Sequence, residues 1–177
     1  MEVGRRGQNA PASIFSEVPG KWELPEQRFL LTGRADRIEL LGDGGLVILD
    51  YKTGTIPART QIAAGLAPQL PLEAAMAQAG AFSGVTGQVA QLAYWHLTGG
   101  PVAGENIALF AKPGQSIANA VTDATERLRA RIEAFDEPTS CYLSHPDPAL
   151  APRFSDFAQL ARVAEWSVAG EDDGDAT

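Results

Sequence analysis

Gly33-Arg34-Ala35-Asp36-Arg37-Ile38-Glu39-Leu40-Leu41-Gly42-Asp43-Gly44-Gly45-Leu46-Val47-Ile48-Leu49-Asp50-Tyr51-Lys52-Thr53-Gly54 decides the fold. Two β-type runs, Phe29–Leu41 and Leu46–Thr53, flank Gly42-Asp43-Gly44-Gly45. Glycine and aspartate tolerate the positive φ of tight turns, so this spacing predicts a hairpin. Period-two alternation puts Leu46, Ile48, Asp50 and Lys52 on one face and Tyr51 on the other, where it reads as core. If Leu40 or Leu41 pairs with Leu46, Asp36 falls opposite Asp50 or one residue away. Opposed Cβ atoms lie about 4.5–5.5 Å apart, and like charges there destabilise a sheet. Two such carboxylates beside a lysine call for a counter-charge, and a divalent cation would supply it.

Outward from the hairpin, residues 1–12 read as a ragged N-terminal segment. Ile14–Val18 and Lys21–Leu24 flank Pro19-Gly20, which suggests a short hairpin or an edge strand. Thr55–Pro68 reads as a loop holding one helical turn at Thr60–Ala64. Gln69–Ala79 has helical spacing, with Pro71 in its first turn and Leu72, Ala75, Met76 and Ala79 on one face. A strand is expected at Val89–Leu97 and another at Asn106–Ala111. Between Gln115 and Asp136, Val121, Leu128, Ile132 and Phe135 recur at helical spacing, and Asp123 stands four residues before Arg127. Pro138 stops that helix. After the proline-rich passage Pro146 to Pro152, a short helix is expected at Asp156–Trp166, with Ser155 as its N-cap. A strand at Val89–Leu97 cannot be reached from Lys52 by a tight turn, so the intervening helix serves as a crossover. The class is α/β, a mixed central sheet flanked by helices.

The chain has 177 residues, of which 45% are hydrophobic and 20% charged, an ordinary globular balance with room for a core. No run approaches the length of a membrane span, and the start lacks an apolar signal core. Cys141 is the single cysteine, so no internal disulfide forms, and a reducing cytoplasm fits. The net charge is −8, and Glu171, Asp172, Asp173 and Asp175 contribute to it from an acidic tail, residues 167–177, read as disordered. The body lacks the basic excess of an autonomous nucleic-acid binder.

At Gly33–Glu39 (Gly-Arg-Ala-Asp-Arg-Ile-Glu), Leu49–Gly54 (Leu-Asp-Tyr-Lys-Thr-Gly) and Gln69–Ala75 (Gln-Leu-Pro-Leu-Glu-Ala-Ala), the chain resembles the RecB-like branch of the PD-(D/E)xK nuclease superfamily. Within it the sequence looks most like the C-terminal nuclease domain of the AddB subunits of bacterial AddAB helicase–nucleases. Tyr94-Trp95 and Arg153-Phe154-Ser155-Asp156 are consistent with that match. The resemblance implies a restriction-endonuclease-like fold over residues 13–166 and hydrolysis of DNA phosphodiesters in double-strand break repair or recombination, as an exonuclease-type enzyme. It implies Mg2+, with Mn2+ as a substitute. Position by position, Asp36 and Asp50 match the metal-binding acids, Lys52 the lysine of the naming motif, and Gln69 the glutamine that opens the next helix and orders the site. Phosphodiester hydrolysis needs an activated water and stabilised phosphoryl charge, which hard cations on carboxylates supply.

Three departures follow. Such nucleases carry a metal-binding histidine upstream of the hairpin, whereas His96 and His145 both lie downstream. Where tyrosine usually follows the glutamine by four residues, Glu73 stands. Many AddB-type members bind an iron–sulfur cluster on four cysteines, which Cys141 alone excludes. No phosphate-binding loop is present, so an ATP-driven motor belongs to a partner, an AddA-like helicase subunit. The rival reading is a catalytically incomplete module that binds single-stranded DNA or docks such a subunit.

Structural roles also fit several of the remaining residues. Arg34 and Arg37 either contact DNA phosphates or pair with acids at the strand edge. Glu17 either approaches the metal or, the preferred reading, is solvent-exposed or structurally paired. Glu73, one helical turn beyond Gln69, can face the same cleft but reads first as a surface residue. His96 reads as a satisfied histidine and Cys141 as a passive small residue. Trp22, Trp95 and Trp166 read as packing.

Overall fold

The computed structural model describes residues 10–100, 104–112, 114–143 and 159–160. The chain divides into two compact units, residues 1–136 and 137–177. Within the first, five strands lie in the order β1 (Pro11–Leu24), β2 (Phe29–Leu41), β3 (Gly45–Lys52), β4 (Gln88–His96) and β5 (Glu105–Leu109). Pairing is antiparallel except between β3 and β4, which run parallel, so the sheet is mixed. Helices α1 (Arg59–Ala63) and α2 (Gln69–Gln78) form the crossover from β3 to β4, and α3 (Ile117–Asp136) follows β5. This is the α/β architecture that the resemblance implies. The expected last helix, Asp156–Trp166 with its Ser155 cap, lies outside the described residues, as do the proline-rich passage and His145.

The β2–β3 hairpin forms where the glycines predict it. Gly44 has φ 85°, its N–H donates to the Leu41 carbonyl, and the Gly45 N–H donates to Asp43 Oδ1. Leu40 pairs with Leu46 and Arg37 with Leu49, the register that runs toward Asp36 and Asp50. Leu46 and Ile48 join the main core beneath α2, with Leu70, Ala74, Met76, Phe82, Leu92 and Tyr94. Val47 and Leu49 join a smaller cluster with Leu41 and Ala93, as strict alternation requires.

Of the two readings of Pro19-Gly20, the edge strand is what forms: β1 runs through both residues in unbroken pairing with β2. A proline is tolerated there because an edge strand has a side that donates to no neighbour. Gly20 is needed for space rather than for a turn. It bridges to Phe82, and the Lys21 N–H donates to the Ala81 carbonyl at 3.0 Å. A Cβ on Gly20 would stand 2.5 Å from Phe82 Cε1 and 2.9 Å from Met76 Cε. The link ties β1 to the segment after α2, a long-range contact invisible in local sequence.

Helix α3 presents Val121 and Ile132 to the core. Arg127 reaches across to the C-terminal end of α1, donating to the Ala64 and Ala63 carbonyls at 2.8 and 3.2 Å. It therefore serves orphaned helix-end carbonyls, not the pairing with Asp123 that sequence spacing suggested. That brace fixes the loop between β3 and α2.

Replacing Gly20 by alanine must push Phe82 and Met76 aside, an overpacking cost of about 1–3 kcal/mol. A lower urea midpoint with unchanged denaturant slope is the expected outcome, and an unaltered midpoint would remove the close-approach explanation.

Candidate active site

The site forms where β3 leaves the core and α2 begins. Asp50 ends the apolar face started by Leu46 and Ile48 and is only 2% exposed. An ionised carboxylate at that depth needs partners. Lys52, two residues on and on the same face, supplies an ammonium 3.0 Å from Asp50 Oδ1 and 2.7 Å from Oδ2. Gln69, at the first position of α2, donates from Nε2 to Asp50 Oδ1 at 2.6 Å and to Glu73 Oε1 at 3.1 Å. Its Oε1 accepts from Lys52 Nζ at 3.2 Å. Those contacts fix the amide's orientation, because the flipped form would aim its oxygen at two carboxylates.

Asp36 lies just beyond the last β2–β3 pair. Its Oδ2 accepts from the Tyr51 N–H at 2.9 Å, a bond from strand to strand at the mouth of the site. Sheet alternation breaks at this level. Ala35 and Ile38 both belong to the main core although three residues apart, and Phe15 and Val18 on β1 behave alike. Between the latter pair, Glu17 has φ 53°. The strands switch faces where Asp36 sits.

Glu73, expected on the surface, is instead buried at 6% exposure, one helical turn beyond Gln69. Its Oε2 has no hydrogen-bond partner, and Asp50 Oδ2 accepts no well-directed hydrogen bond despite its nearness to Lys52. A buried polar atom left unsatisfied costs about 1–3 kcal/mol. Burial pushes the Glu73 carboxyl up to about 7; the bond from Gln69 opposes that shift, the charges of Asp50 and Asp36 add to it, and Lys52 opposes it. Tyr94, across from Asp50 on β4, is raised to about 12 by burial and then by Asp50 and Glu73. The spacing from Gln69 to Glu73 was legible in sequence; the absence of solvent around Glu73 was not.

Other residues fall elsewhere. Arg34 forms an exposed ion pair with Glu17 at 3.3 Å, the strand-edge alternative and the structural pairing expected of Glu17. Arg37 pairs with Glu39 at 2.8 Å and lies 6.0 Å from the Trp95 ring. Burial works against its charge, yet hydrogen bonds with Tyr51 and Glu39 leave its pKa raised. Tyr51 is 37% exposed and tilted against Trp95, so the core role expected of it is corrected: the strand end it occupies overhangs the smaller cluster. Cys141 is exposed. Among the described residues, no group of three or more acidic, histidine or cysteine side chains is placed to hold a metal ion, and no helix is long and apolar enough to cross a membrane.

The sequence matches the profile of the PD-(D/E)XK nuclease superfamily over residues 4–147. An uncharacterized protein of Rickettsia bellii is 38% identical over 98 residues, which cover 54% of this chain and 11% of that protein. An uncharacterized protein of Rickettsia typhi is 45% identical over 65 residues, 36% of this chain and 8% of that protein. The chain thus spans about a tenth of the length of these curated relatives.

Because Glu73 moves from 4.5 to about 7, the folded chain retains a proton across that window that the unfolded chain releases. Its contribution to stability is present below the lower value and lost as pH rises through the upper, by up to roughly 3 kcal/mol. In EDTA, urea denaturation near the two ends of the window should therefore show Glu73→Gln gaining on the parent as pH rises. Parallel pH profiles for the two would refute the assignment.

Proposed function

Since the chain belongs to the PD-(D/E)XK nuclease superfamily, we propose that it hydrolyses DNA phosphodiester bonds, with Asp36 and Asp50 holding Mg2+. The observation that carries this reading is the joined network of Asp50, Lys52 and Gln69, which gathers the motif residues of β3 and α2 at one point. The donors suit a hard cation: carboxylate oxygens, two of them buried and poorly satisfied, at a site carrying more acids than bases. Mg2+ needs one or two carboxylates and completes its shell with waters and substrate phosphate, so an enclosed protein cage is not required. When bound, such an ion polarises the phosphoryl group and lowers the pKa of water.

The chain's own residues then divide the work. Lys52, held by Asp50 and Gln69, presents a fixed positive charge to a phosphate oxygen or orients the attacking water. Gln69 holds the lysine and the aspartate in mutual register. Asp36, bonded to the Tyr51 N–H, keeps β2 and β3 together at the site's mouth. Arg34 sits at the surface, 66% exposed at its side chain, and is placed to meet the DNA backbone once it leaves Glu17. Arg37, engaged with Glu39, is the weaker candidate for such a contact.

In its finer form the proposal is an AddB-type, RecB-like exonuclease domain acting in double-strand break repair in the cytoplasm, alongside an AddA-like helicase subunit. The motif resemblance supports this, as does the small share of the longer Rickettsia proteins that aligns with the chain. One observation favours the rival, a nuclease-like module that binds single-stranded DNA or docks the helicase without cutting: no third ligand converges among the described residues.

In the complete helicase–nuclease, Asp36→Ala, Asp50→Ala and Lys52→Ala should each lower DNA cleavage at least about 100-fold, the scale of losing one preorganised electrostatic group. ATP-driven unwinding should persist. Cleavage at the parental rate by Asp50→Ala would discard the site and leave the non-cutting module.

A further inference from the structure

Glu73 stands on a helix whose other buried residues are Leu70, Pro71, Ala74, Ala75, Met76 and Ala77. A carboxylate in that company is explained only by what it faces. Its Oε1 shares the Gln69 amide with Asp50 Oδ1, so these two oxygens are no farther apart than two hydrogen bonds laid end to end. Its Oε2 is buried without a partner. The Gln69 –NH2 group, its carbonyl end held by Lys52, thus brings partial positive charge between two acids. A divalent cation would bring full charge to the same pair, together with a ligand demand for the unsatisfied oxygens.

We propose that Glu73 is a cation ligand of this site alongside Asp50, and that the Gln69 amide bridges the two carboxylates until the ion displaces it. The proposal rests on the metal-dependent reading above and adds to it a ligand from α2.

The test is calorimetric titration of Mn2+, and of Mg2+, into the metal-free full chain, with Glu73→Gln and Asp50→Asn in parallel. Glu73→Gln is expected to weaken Mn2+ binding at least about 10-fold, the least that even an outer-shell partner of a metal site contributes. Its far-ultraviolet circular dichroism and melting temperature in EDTA should stay at or above those of the parent. Saturating Mn2+ should raise the melting temperature of the parent more than that of the variant. If Asp50→Asn loses Mn2+ binding while Glu73→Gln retains it in full, Glu73 is no ligand and the metal-dependent reading survives without it. If the parent chain takes up no Mn2+, or Asp50→Asn binds it normally, both readings fall. Should Glu73→Gln be unfolded, Glu73→Asp replaces it: a retained carboxylate on a shorter stem should give weakened binding, and parental affinity would overturn the proposal.

Discussion

The buried charge of Asp50 is the constraint on which the rest of the site depends. A carboxylate 2% exposed at the end of an apolar strand face is untenable alone, and each neighbouring feature answers it. Lys52 follows at the same-face spacing, and α2 starts with a glutamine whose amide reaches the same oxygen. The loop that leads into α2 is in turn braced by Arg127 at the end of α1. Removing the ammonium from such a pair is far worse than never having built it, because the remaining charge stays buried. In the proposed reading Lys52 couples folding to function: the group that would meet a phosphate is also the one that makes Asp50 tolerable.

That coupling is incomplete, and its incompleteness is informative. Asp50, Glu73 and Asp36 together exceed the single ammonium near them, and the structure responds by raising the affinity of Glu73 for a proton. A proton, a metal ion and the Gln69 amide are three ways of meeting the same excess negative charge. The low-dielectric surroundings that make the unpartnered oxygens costly also strengthen whatever cation meets them.

Much of this was legible in the sequence. The glycine-rich turn set the hairpin, and period-two alternation set which face Asp50 and Lys52 share. Gln69 was correctly placed at the start of α2 because Pro71 can occupy only a first turn. What could not be read locally was anything decided by distant chain. Gly20 fitted either a turn or an edge strand, and only the approach of Phe82 shows that it is there for space. Arg127 looked like a partner for Asp123, whereas the carbonyls it serves belong to α1. Tyr51 and Glu73 exchanged their expected environments for one reason: alternation and helical phase give a side chain's direction, but not how far the covering layer extends.

The break in sheet alternation is the least expected feature, and like-charge geometry explains why it falls at Asp36. Continuing the β2–β3 register one step past Arg37 and Leu49 would set Asp36 directly against Asp50, at the spacing where two carboxylates repel most strongly within a ladder. Instead the ladder ends, β2 changes face, and Asp36 turns one oxygen onto the Tyr51 N–H. On the adjoining edge strand, Glu17 adopts φ 53°, a conformation unfavourable for a residue with a Cβ, at the same level of the sheet. A regular sheet would cost less backbone strain there but would set the two carboxylates in direct opposition. The irregularity therefore belongs to the hairpin that carries both aspartates: it keeps Asp36 and Asp50 out of direct opposition in the ladder, and in the proposed reading it leaves them to share a cation.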